Sequence, residues 1–226
     1  MKKLALLTLV LASFLSAMAQ QTETRQVGTF KGIRASEAID VYLKKGDKES
    51  VKVEVEGVRL TDVVTEVSGS YLKVHMREGN YRNRNVKVYI TYVALEKISA
   101  SSASNIFSDG VIKSNSLEIN AASAGSVELQ LDAGDITADV ASAGDITLEG
   151  KAKSLTAEAS SAGSLDAYNL DCETVNISAS SAGSAKVSVS KELEAEASSG
   201  GSVRYRGNPT KTNTGSSSGG SVKKTN

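Results

Sequence analysis

Residues 117–148 read LEINAASAGSVELQLDAGDITADVASAGDITL, in which the triplet Ser-Ala-Gly occurs twice, 19 residues apart. The triplet, or its variant Ser-Gly-Gly, recurs through the second half of the chain at intervals of 18 to 20 residues. Its glycines are Gly125, Gly144, Gly163, Gly183 and Gly201, and Gly220 continues the series. A repeat of this length is typical of a solenoid, in which each unit buries its apolar face by stacking on its neighbours.

The residues around each glycine alternate between apolar and polar types. Aliphatic or small side chains stand eight, six and four positions before the glycine and two and four positions after it. Around Gly125 these positions hold Leu117, Ile119, Ala121, Val127 and Leu129. A period of two on both sides of a small-residue corner predicts two short strands and a tight turn in each unit. The sequence therefore predicts an all-β fold, a parallel and right-handed β-helix or solenoid whose coils rise by about 4.8 Å each.

The small residues at the corner have an expected role. Glycine suits a sharp corner in which a residue adopts positive φ, and Ser and Ala are small enough to stack from coil to coil. We therefore expect the glycines to supply the unusual backbone torsion of the corner.

The chain divides into five segments by its pattern. We predict a signal peptide at 1–19, a polar leader at 20–29 and one solenoid at 30–206, with irregular, longer coils at 30–108 and regular repeats at 109–206. Degenerate copies of the repeat at 33–43 and 98–106 support the irregular part. The polar segment 207–226 is either a weak last coil or a disordered tail. An exposed strand edge there invites pairing, so an edge-mediated homo-oligomer is one expectation.

The N-terminus has the three parts of a secretory signal. Lys2 and Lys3 form the charged region, residues 4–15 the apolar region, and Ala17-Met18-Ala19 the cleavage site. A membrane anchor is the alternative, but the apolar run is short for a span. The residue directly after the cleavage site is Gln20 and not a cysteine that could carry a lipid, and no later segment is apolar enough to cross a membrane as a helix. We expect export to the periplasm, the outer surface or the medium.

Charge and composition argue against nucleic-acid binding. Residues 109–203 carry 5 basic and 15 acidic side chains, and aromatic residues make up only 4% of the whole chain. Such an array offers neither phosphate neutralisation nor stacking platforms. The last 23 residues differ, because they carry five basic side chains and no acidic one.

One loop has the composition of a ligand site. Residues 77–85 contain three arginines, three asparagines and a tyrosine. Arg77, Tyr81, Arg82 and Arg84 could hold a carbohydrate or an acidic group through guanidinium hydrogen bonds and ring packing. A solvated hairpin tip is the alternative interpretation.

Catalytic chemistry has little support. Asp139 and Glu158 fall in one column of adjacent coils, but basic partners are scarce across the repeats, which contain no histidine. Cys172, the only cysteine, lies in a connection between coils and fits a half-buried small residue better than a nucleophile. The glycine-rich calcium nonapeptide is absent, so at most weak calcium binding is expected. We predict no catalytic residue, no cofactor and no metal site.

The repeats Ser-Ala-Gly-Asp-Ile and Ser-Ala-Gly-Ser-Val follow Phe30-Lys31-Gly32-Ile33, Ala38-Ile39-Asp40-Val41 and Gly46-Asp47. This order resembles the auto-transporter adhesin head family, the GIN domain, over residues 28–206. The usual family repeat has glycine and aspartate where this chain mostly has alanine and serine, so only Asp40, Asp135 and Asp145 match its acidic position. The resemblance implies an exported β-solenoid with an adhesin-like role and no catalytic residues.

The residues and the resemblance together predict an exported, non-enzymatic, adhesin-like protein that binds at the cell surface or envelope. The expected partner is a surface glycan or an envelope protein. A structural envelope scaffold is the nearest alternative, and a polysaccharide-acting β-helix enzyme is a more distant one.

Overall fold

The structure, a computed structural model, describes residues 20–225, so the predicted signal peptide lies outside the described residues. This part of the chain contains sixteen strands and a single 3-10 turn at Leu60–Asp62. The strands are β1 (Gln21–Arg25), β2 (Gly32–Ala35), β3 (Asp40–Lys45), β4 (Ser50–Glu56), β5 (Val63–Ser68), β6 (Tyr71–Met76), β7 (Asn85–Tyr92), β8 (Lys97–Ala100), β9 (Asn105–Ala121), β10 (Ser126–Val140), β11 (Asp145–Ala159), β12 (Ser164–Ala179), β13 (Ser184–Ala197), β14 (Ser202–Arg206), β15 (Lys211–Ser216) and β16 (Ser221–Lys224).

The regular repeats form the predicted solenoid. Strands β9 to β13 are each 14 to 17 residues long, and each pairs in parallel with the next. Ile136 of β10, for example, stands opposite Leu117 of β9 on one side and Leu155 of β11 on the other. The prediction of an all-β parallel solenoid with coils of about 19 residues is therefore confirmed.

Each coil has two walls and two edges. In β10, residues 135–140 form wall A, which runs into the Ser-Ala-Gly corner, and residues 126–131 form wall B, which follows the corner of the preceding coil. The stacked corners make the corner edge. Residues 132–134 and their counterparts turn the chain from wall B into wall A and make the bend edge.

The core lies between the walls and is aliphatic. Every inward position predicted from Leu117 to Val203 is buried, and Tyr205 is half-buried. The alternation also continues into the bend, where Leu131, Ala133 and Cys172 are buried. Because the inward positions of successive coils are in register, their apolar side chains lie directly over one another. Each coil therefore buries its apolar side chains by stacking on the neighbouring coils.

The corner geometry differs from the expectation. Positive φ is adopted by the serine and the alanine, at 51° and 59° for Ser123 and Ala124, whereas Gly125 lies outside that region. The Gly125 N–H donates to Ala122 O at 2.9 Å, which closes a turn with two positive-φ central residues. The glycine is needed instead for space, because a Cβ on Gly125 would lie 2.6 Å from the backbone carbonyl of Ala100 in the preceding coil.

Backbone hydrogen bonds link each corner to the next. The Ala124 N–H donates to Ser142 O at 3.1 Å, and the Ala143 N–H donates to Ser161 O at 3.1 Å. A left-handed non-glycine residue costs about 1–2 kcal/mol. The ladder of hydrogen bonds offsets this cost, since it satisfies backbone groups at every corner.

The N-terminal part is irregular, as predicted, but its order in space is not its order in sequence. Strands β2 and β3 form the first coil that matches the repeat, and they pair with β8 and β9 of the next coil. On their other side lie β6 and β7, which come later in the chain. Antiparallel strands β5, β4 and β1 complete this end of the stack.

The polar leader contributes one of these antiparallel strands. Residues 21–25 form β1, which pairs with β4. The Arg25 guanidinium then reaches across to wall A, where it donates to Val63 O and Leu60 O at 2.7 Å each. A single arginine thus joins the outermost strands of the two walls.

The polar C-terminal segment forms a further coil. Strand β15 pairs with β13, and β16 pairs with β14, both in parallel. Thr212 and Thr214 stand over Leu193 and Ala195, which are buried. The coil covers the end of the core with hydroxyl-bearing side chains. Within residues 20–225 the outer edges of β15 and β16 pair with no strand, and the predicted homo-oligomer depends on these edges.

Candidate functional site

A groove runs along the bend edge, and we call it the bend groove. It consists of two adjoining depressions of about 610 and 560 Å³ that share Asp132. The first is lined by Asp132, Ala133, Lys151, Ala152, Lys153, Asp171, Cys172, Glu173, Ser188, Val189, Ser190, Gly207 and Asn208. The second is lined by Lys45, Val93, Ala94, Leu95, Glu96, Lys113, Ser114, Asn115, Ser116 and Asp132. The groove therefore crosses several coils along the solenoid axis.

Small side chains at the bend give the groove its floor. Ala133 and Ala152 are opposite each other in adjacent coils, and Cys172 and Val189 continue the column. The flanking residues of each coil point outward and are polar, such as Lys151 and Lys153 around Ala152. A small-residue column between polar neighbours leaves a shallow channel with an apolar base and charged sides.

The sides of the groove carry charges of both signs. The Lys151 ammonium lies 3.5 Å from the Asp132 carboxylate, and the Lys191 ammonium lies 2.7 Å from that of Glu173. The hydrogen bond from Lys191 holds the pKa of Glu173 below its ordinary value. The groove therefore offers a polar ligand both hydrogen-bond donors and acceptors, from its lysines and carboxylates and from Ser188 and Asn208.

Cys172 belongs to the groove floor but is not a nucleophile. Its side chain is buried, more deeply than the half-buried position expected from the sequence. Burial, and secondarily the charge of Asp171, raises the pKa of the thiol to about 12. A thiol with this pKa is almost entirely protonated at neutral pH and therefore unreactive.

The predicted ligand loop lies at the corner edge of the coil formed by β6 and β7, where it replaces the short Ser-Ala-Gly corner. The structure brings Tyr81 and Arg84 together, with the guanidinium carbon 5.5 Å from the ring centroid. Arg84 Nη2 also donates to Glu37 O at 2.6 Å. Tyr81 packs partly against the core. These two side chains therefore hold the loop on the next coil.

The other two arginines of the loop face solvent. Arg77 and Arg82 are exposed, and Arg77 Nε lies 3.4 Å from Thr61 O. The backbone N–H of Arg77 donates to Asp62 O at 2.7 Å. Tyr81 and Arg84 thus fix the loop, Arg77 attaches its start to the 3-10 turn, and Arg82 extends into solvent. The ligand site remains a prediction.

The carboxylate column on wall A is present as expected. Asp139 stands opposite Glu158 in adjacent coils. Partial desolvation by neighbouring side chains, followed by the charges of Glu158 and Glu118, raises the pKa of Asp139, although its side chain is exposed. Glu118 itself is paired with Lys97 at 2.7 Å. Within residues 20–225, no group of three or more His, Cys, Asp and Glu side chains is arranged to hold a metal ion.

An aromatic ladder on wall B was missed by the sequence analysis. The rings of Tyr89, Tyr42 and Phe107 come from three successive coils and stack with centroids 5.1 and 5.3 Å apart. The Lys52 ammonium covers the outer face of Tyr89 at 5.4 Å. Because the rings cover each other's faces, the ladder mainly stabilises the stack. Only knowledge that β3 lies between β7 and β9 could have revealed it.

The family model described as "Putative auto-transporter adhesin, head GIN domain" matches residues 29–209. The chain belongs to this family. The resemblance drawn from the repeats is therefore confirmed, and its bounds agree with the matched range within a few residues. No curated protein matches this GIN-domain chain.

Solved structures share the fold of this GIN-domain protein. One, described as a putative adhesin from Bacteroides fragilis, has a TM-score of 0.85 at 20% identity and covers 92% of this chain and 98% of its own. A "putative lipid binding protein" from Parabacteroides distasonis has a TM-score of 0.71 at 19% identity, covering 93% and 98%. A "putative adhesin" from Parabacteroides merdae has 0.69 at 18%, also covering 93% and 98%.

The family model establishes the family of this chain. The solved structures, at 18–20% identity, share its fold over almost the whole chain. Among residues 20–225, no helix is long and apolar enough to cross a membrane.

Proposed function

We propose that this GIN-domain protein is an exported, adhesin-like binding module that holds an extended polar polymer of the cell surface or envelope in the bend groove. The observation that carries the proposal is the groove itself, which follows the solenoid axis across several coils. A channel of this form suits a linear chain, because each coil offers a similar set of contacts at each step along it.

The chemistry of the groove favours a hydroxyl-rich or amide-rich ligand. Its apolar floor can contact the ring or backbone of a polymer, while Lys153, Asp171 and Asn208 can hydrogen-bond its polar groups. A surface glycan meets both requirements, and an extended segment of an envelope protein is the second form of the same proposal. The adhesin names of the family and of two solved relatives agree with this role.

The main alternative is a structural envelope scaffold. A continuous stack with an aliphatic core would serve either role. The relative described as a lipid binding protein points to a third ligand class, but the mixed charges of the bend groove favour a polar chain over an acyl chain.

The test is binding of residues 20–226 to a glycan array and to envelope fractions. A charge-swapped variant, Lys153→Glu with Asp171→Lys, changes the groove while preserving net charge. Asp47→Lys with Lys48→Glu makes the same swap in an exposed turn outside the groove. We expect the groove swap to abolish binding and the turn swap to leave it unchanged.

Two results would count against the proposal. Binding that survives the groove swap would place the ligand on another surface. No binding to either the array or the envelope fractions would favour the scaffold. Circular dichroism and melting of both variants would show that any loss is not caused by unfolding.

A further inference from the structure

The last three coils share a sequence pattern that the earlier coils lack. Each begins wall B with serine, an apolar residue and a base, in Ser184-Ala185-Lys186, Ser202-Val203-Arg204 and Ser221-Val222-Lys223. Strand pairing sets Ser184 against Ser202 and Ser202 against Ser221. The same pairing sets Lys186 against Arg204 and Arg204 against Lys223.

The pattern produces two straight columns on the outer surface of wall B. The apolar residues between them point inward, as Val203 does, and the hydroxyl and cationic side chains point outward. We call the six outward residues the cationic strip: Ser184, Ser202, Ser221, Lys186, Arg204 and Lys223. Neighbouring members of each column are about 4.8 Å apart, the spacing between paired strands.

The strip is a local reversal of charge. In the three preceding coils, the positions in line with Lys186 hold Asp166, Thr147 and Glu128, none of which is basic. Residues 109–203 carry an excess of acidic side chains, so these bases are not part of a generally basic surface. The basic C-terminus noted in the sequence thus supplies a compact patch at one end of wall B.

Neighbouring contacts hold Lys186 of the strip, and Arg206 beside the strip, in place. Lys186 Nζ donates to Asp166 Oδ2 at 2.8 Å, and this hydrogen bond raises the pKa of the lysine. Arg206 lies beside the strip, with its guanidinium carbon 5.4 Å from the ring centroid of Tyr168 and Nη2 donating to Tyr168 O. The Tyr168 hydroxyl hydrogen-bonds Thr225 Oγ1 at 2.8 Å, which ties the ring to the last coil.

We propose that the cationic strip binds the anionic groups of an acidic polysaccharide. Arg204 can hold a carboxylate or sulfate through paired N–H donors, and Lys223 adds charge on one side. On the other side Lys186, whose charge is balanced by Asp166, can still donate a hydrogen bond. The serine hydroxyls supply further donors alongside the cations. This site is separate from the bend groove and does not depend on it.

The surroundings favour a narrow polyanion over an anionic bilayer. A flat membrane surface on wall B would also meet Glu128, Asp145 and Asp166, which would repel it. The exposed large hydrophobic side chains of the described residues are Tyr89, Val93 and Val111, none of which lies in the strip. A single polysaccharide chain can cross the strip without contacting the acidic coils.

The experiment measures binding of the protein to heparin and alginate, with neutral dextran as the comparison polymer. We expect binding to both acidic polymers that weakens as salt rises, and none to dextran. The variant Arg204→Glu with Lys223→Glu should weaken binding roughly a hundredfold, since each lost charge-assisted hydrogen bond is worth about tenfold. The control Lys31→Glu with Lys48→Glu makes the same net charge change at the other end and should retain binding.

A second variant, Arg204→Gln with Lys223→Gln, removes the charges without reversing them and is less prone to misfold. Its binding to the acidic polymers should lie between that of the unchanged protein and that of the Glu variant. Equal loss in the strip and control variants, or equal binding to dextran, would overturn the proposal. Binding to anionic vesicles without binding to soluble polymer would assign the strip to a membrane instead.

Self-association is the remaining outcome. Wall A of a second copy carries Glu194 and Glu196, which could pair with the strip. Sedimentation that shows concentration-dependent association, abolished by the strip variant, together with no polymer binding, would assign the strip to a second copy and overturn the proposal. The groove swap should leave heparin binding intact, which separates this site from the proposed function.

Discussion

Both edges of the solenoid turn the chain from one wall to the other, but the corner edge has a constant length and the bend edge does not. At the corner edge every regular coil uses the same four-residue turn, linked to the next by backbone hydrogen bonds. At the bend edge the pairing register shifts, as between Ala167 and Asp171 of β12. The repeat spacings of 18 to 20 residues are thus accommodated at the bend, while the corner keeps its length.

The contrast shows where this fold tolerates variation. At the last position of each regular corner the backbone touches the preceding coil and leaves no room for a Cβ, so glycine stands there in every regular repeat. The bend has small side chains over an open channel and accepts residues of different size and charge. Residue size and charge therefore differ more from coil to coil at the bend, as at Ala133, Ala152 and Cys172, than at the last position of the corner.

The largest expected effect tests the walls that both edges connect. Ile146 is fully buried between Val127 and Leu165 of the neighbouring coils. Ile146→Asp should cost roughly 4 kcal/mol or more in the free energy of unfolding, because it buries an unpaired charge. Ser164→Asp should have little effect, since Asp145 already occupies that outward position one coil earlier. Similar losses in denaturant unfolding would contradict the assignment of inward and outward positions.

The next effect tests the corner edge with two adjacent glycines. A Cβ on Gly201 would clash with the Ala179 backbone carbonyl, whereas one on Gly200 has open space. Gly201→Ala should therefore cost about 2–4 kcal/mol. Gly200→Ala should change stability by less than about 1 kcal/mol, because Ala182 already adopts positive φ at the same position. Equal melting shifts would mean that backbone torsion, and not space, selects the glycine.

A smaller effect is expected at the bend edge. The column of Cys172 already contains alanine and valine, in Ala152 and Val189. Cys172→Val should change the free energy of unfolding by less than about 1 kcal/mol. In the unchanged protein, the raised pKa and burial of the thiol predict very slow maleimide labelling at pH 7.5 and fast labelling after unfolding in denaturant. Fast labelling of the native protein would show that the groove floor opens readily.

The smallest effect concerns the carboxylates of wall A. The pKa of Asp139 is raised in the folded protein, so its ionised form is disfavoured there at neutral pH. Asp139→Asn should then stabilise the protein by a few tenths of a kcal/mol at pH 7. The gain should disappear below the ordinary aspartate pKa of 3.8, where the carboxyl is protonated in both states. Thermal melting at pH 7 and pH 3 measures this difference, with Asp47→Asn as the control variant. A loss of stability in Asp139→Asn at pH 7 would contradict the raised pKa of Asp139.

The walls could be predicted from the sequence because their signal is repeated. Residues such as Leu117, Ile136 and Leu155 recur in one column, so each coil reports the inward positions of the others. The role of the corner could not be predicted in the same way. A small residue at a corner can be required either for a positive φ or for close contact with the next backbone. Only the observed φ of Ser123 and Ala124 shows that the glycine serves the second purpose.

The remaining features depend on contacts between distant segments. The Tyr42 and Tyr89 rings meet because β7 lies beside β3, an order that no local pattern encodes. The bend groove likewise depends on how sharply the walls turn at Ala133 and Ala152, which alternation alone does not specify. The arginine loop was recognised by composition, but composition could not show that Arg84 is held by Glu37.

The placement of β2 and β3 has a consequence for how the protein folds. This pair is synthesised before the strands that enclose it, β6 and β7 on one side and β8 and β9 on the other. It cannot bury both of its flanks until the chain has been made as far as residue 108. Folding should therefore begin late, with a slow step that closes long loops, and then proceed quickly as each later coil adds to a finished template.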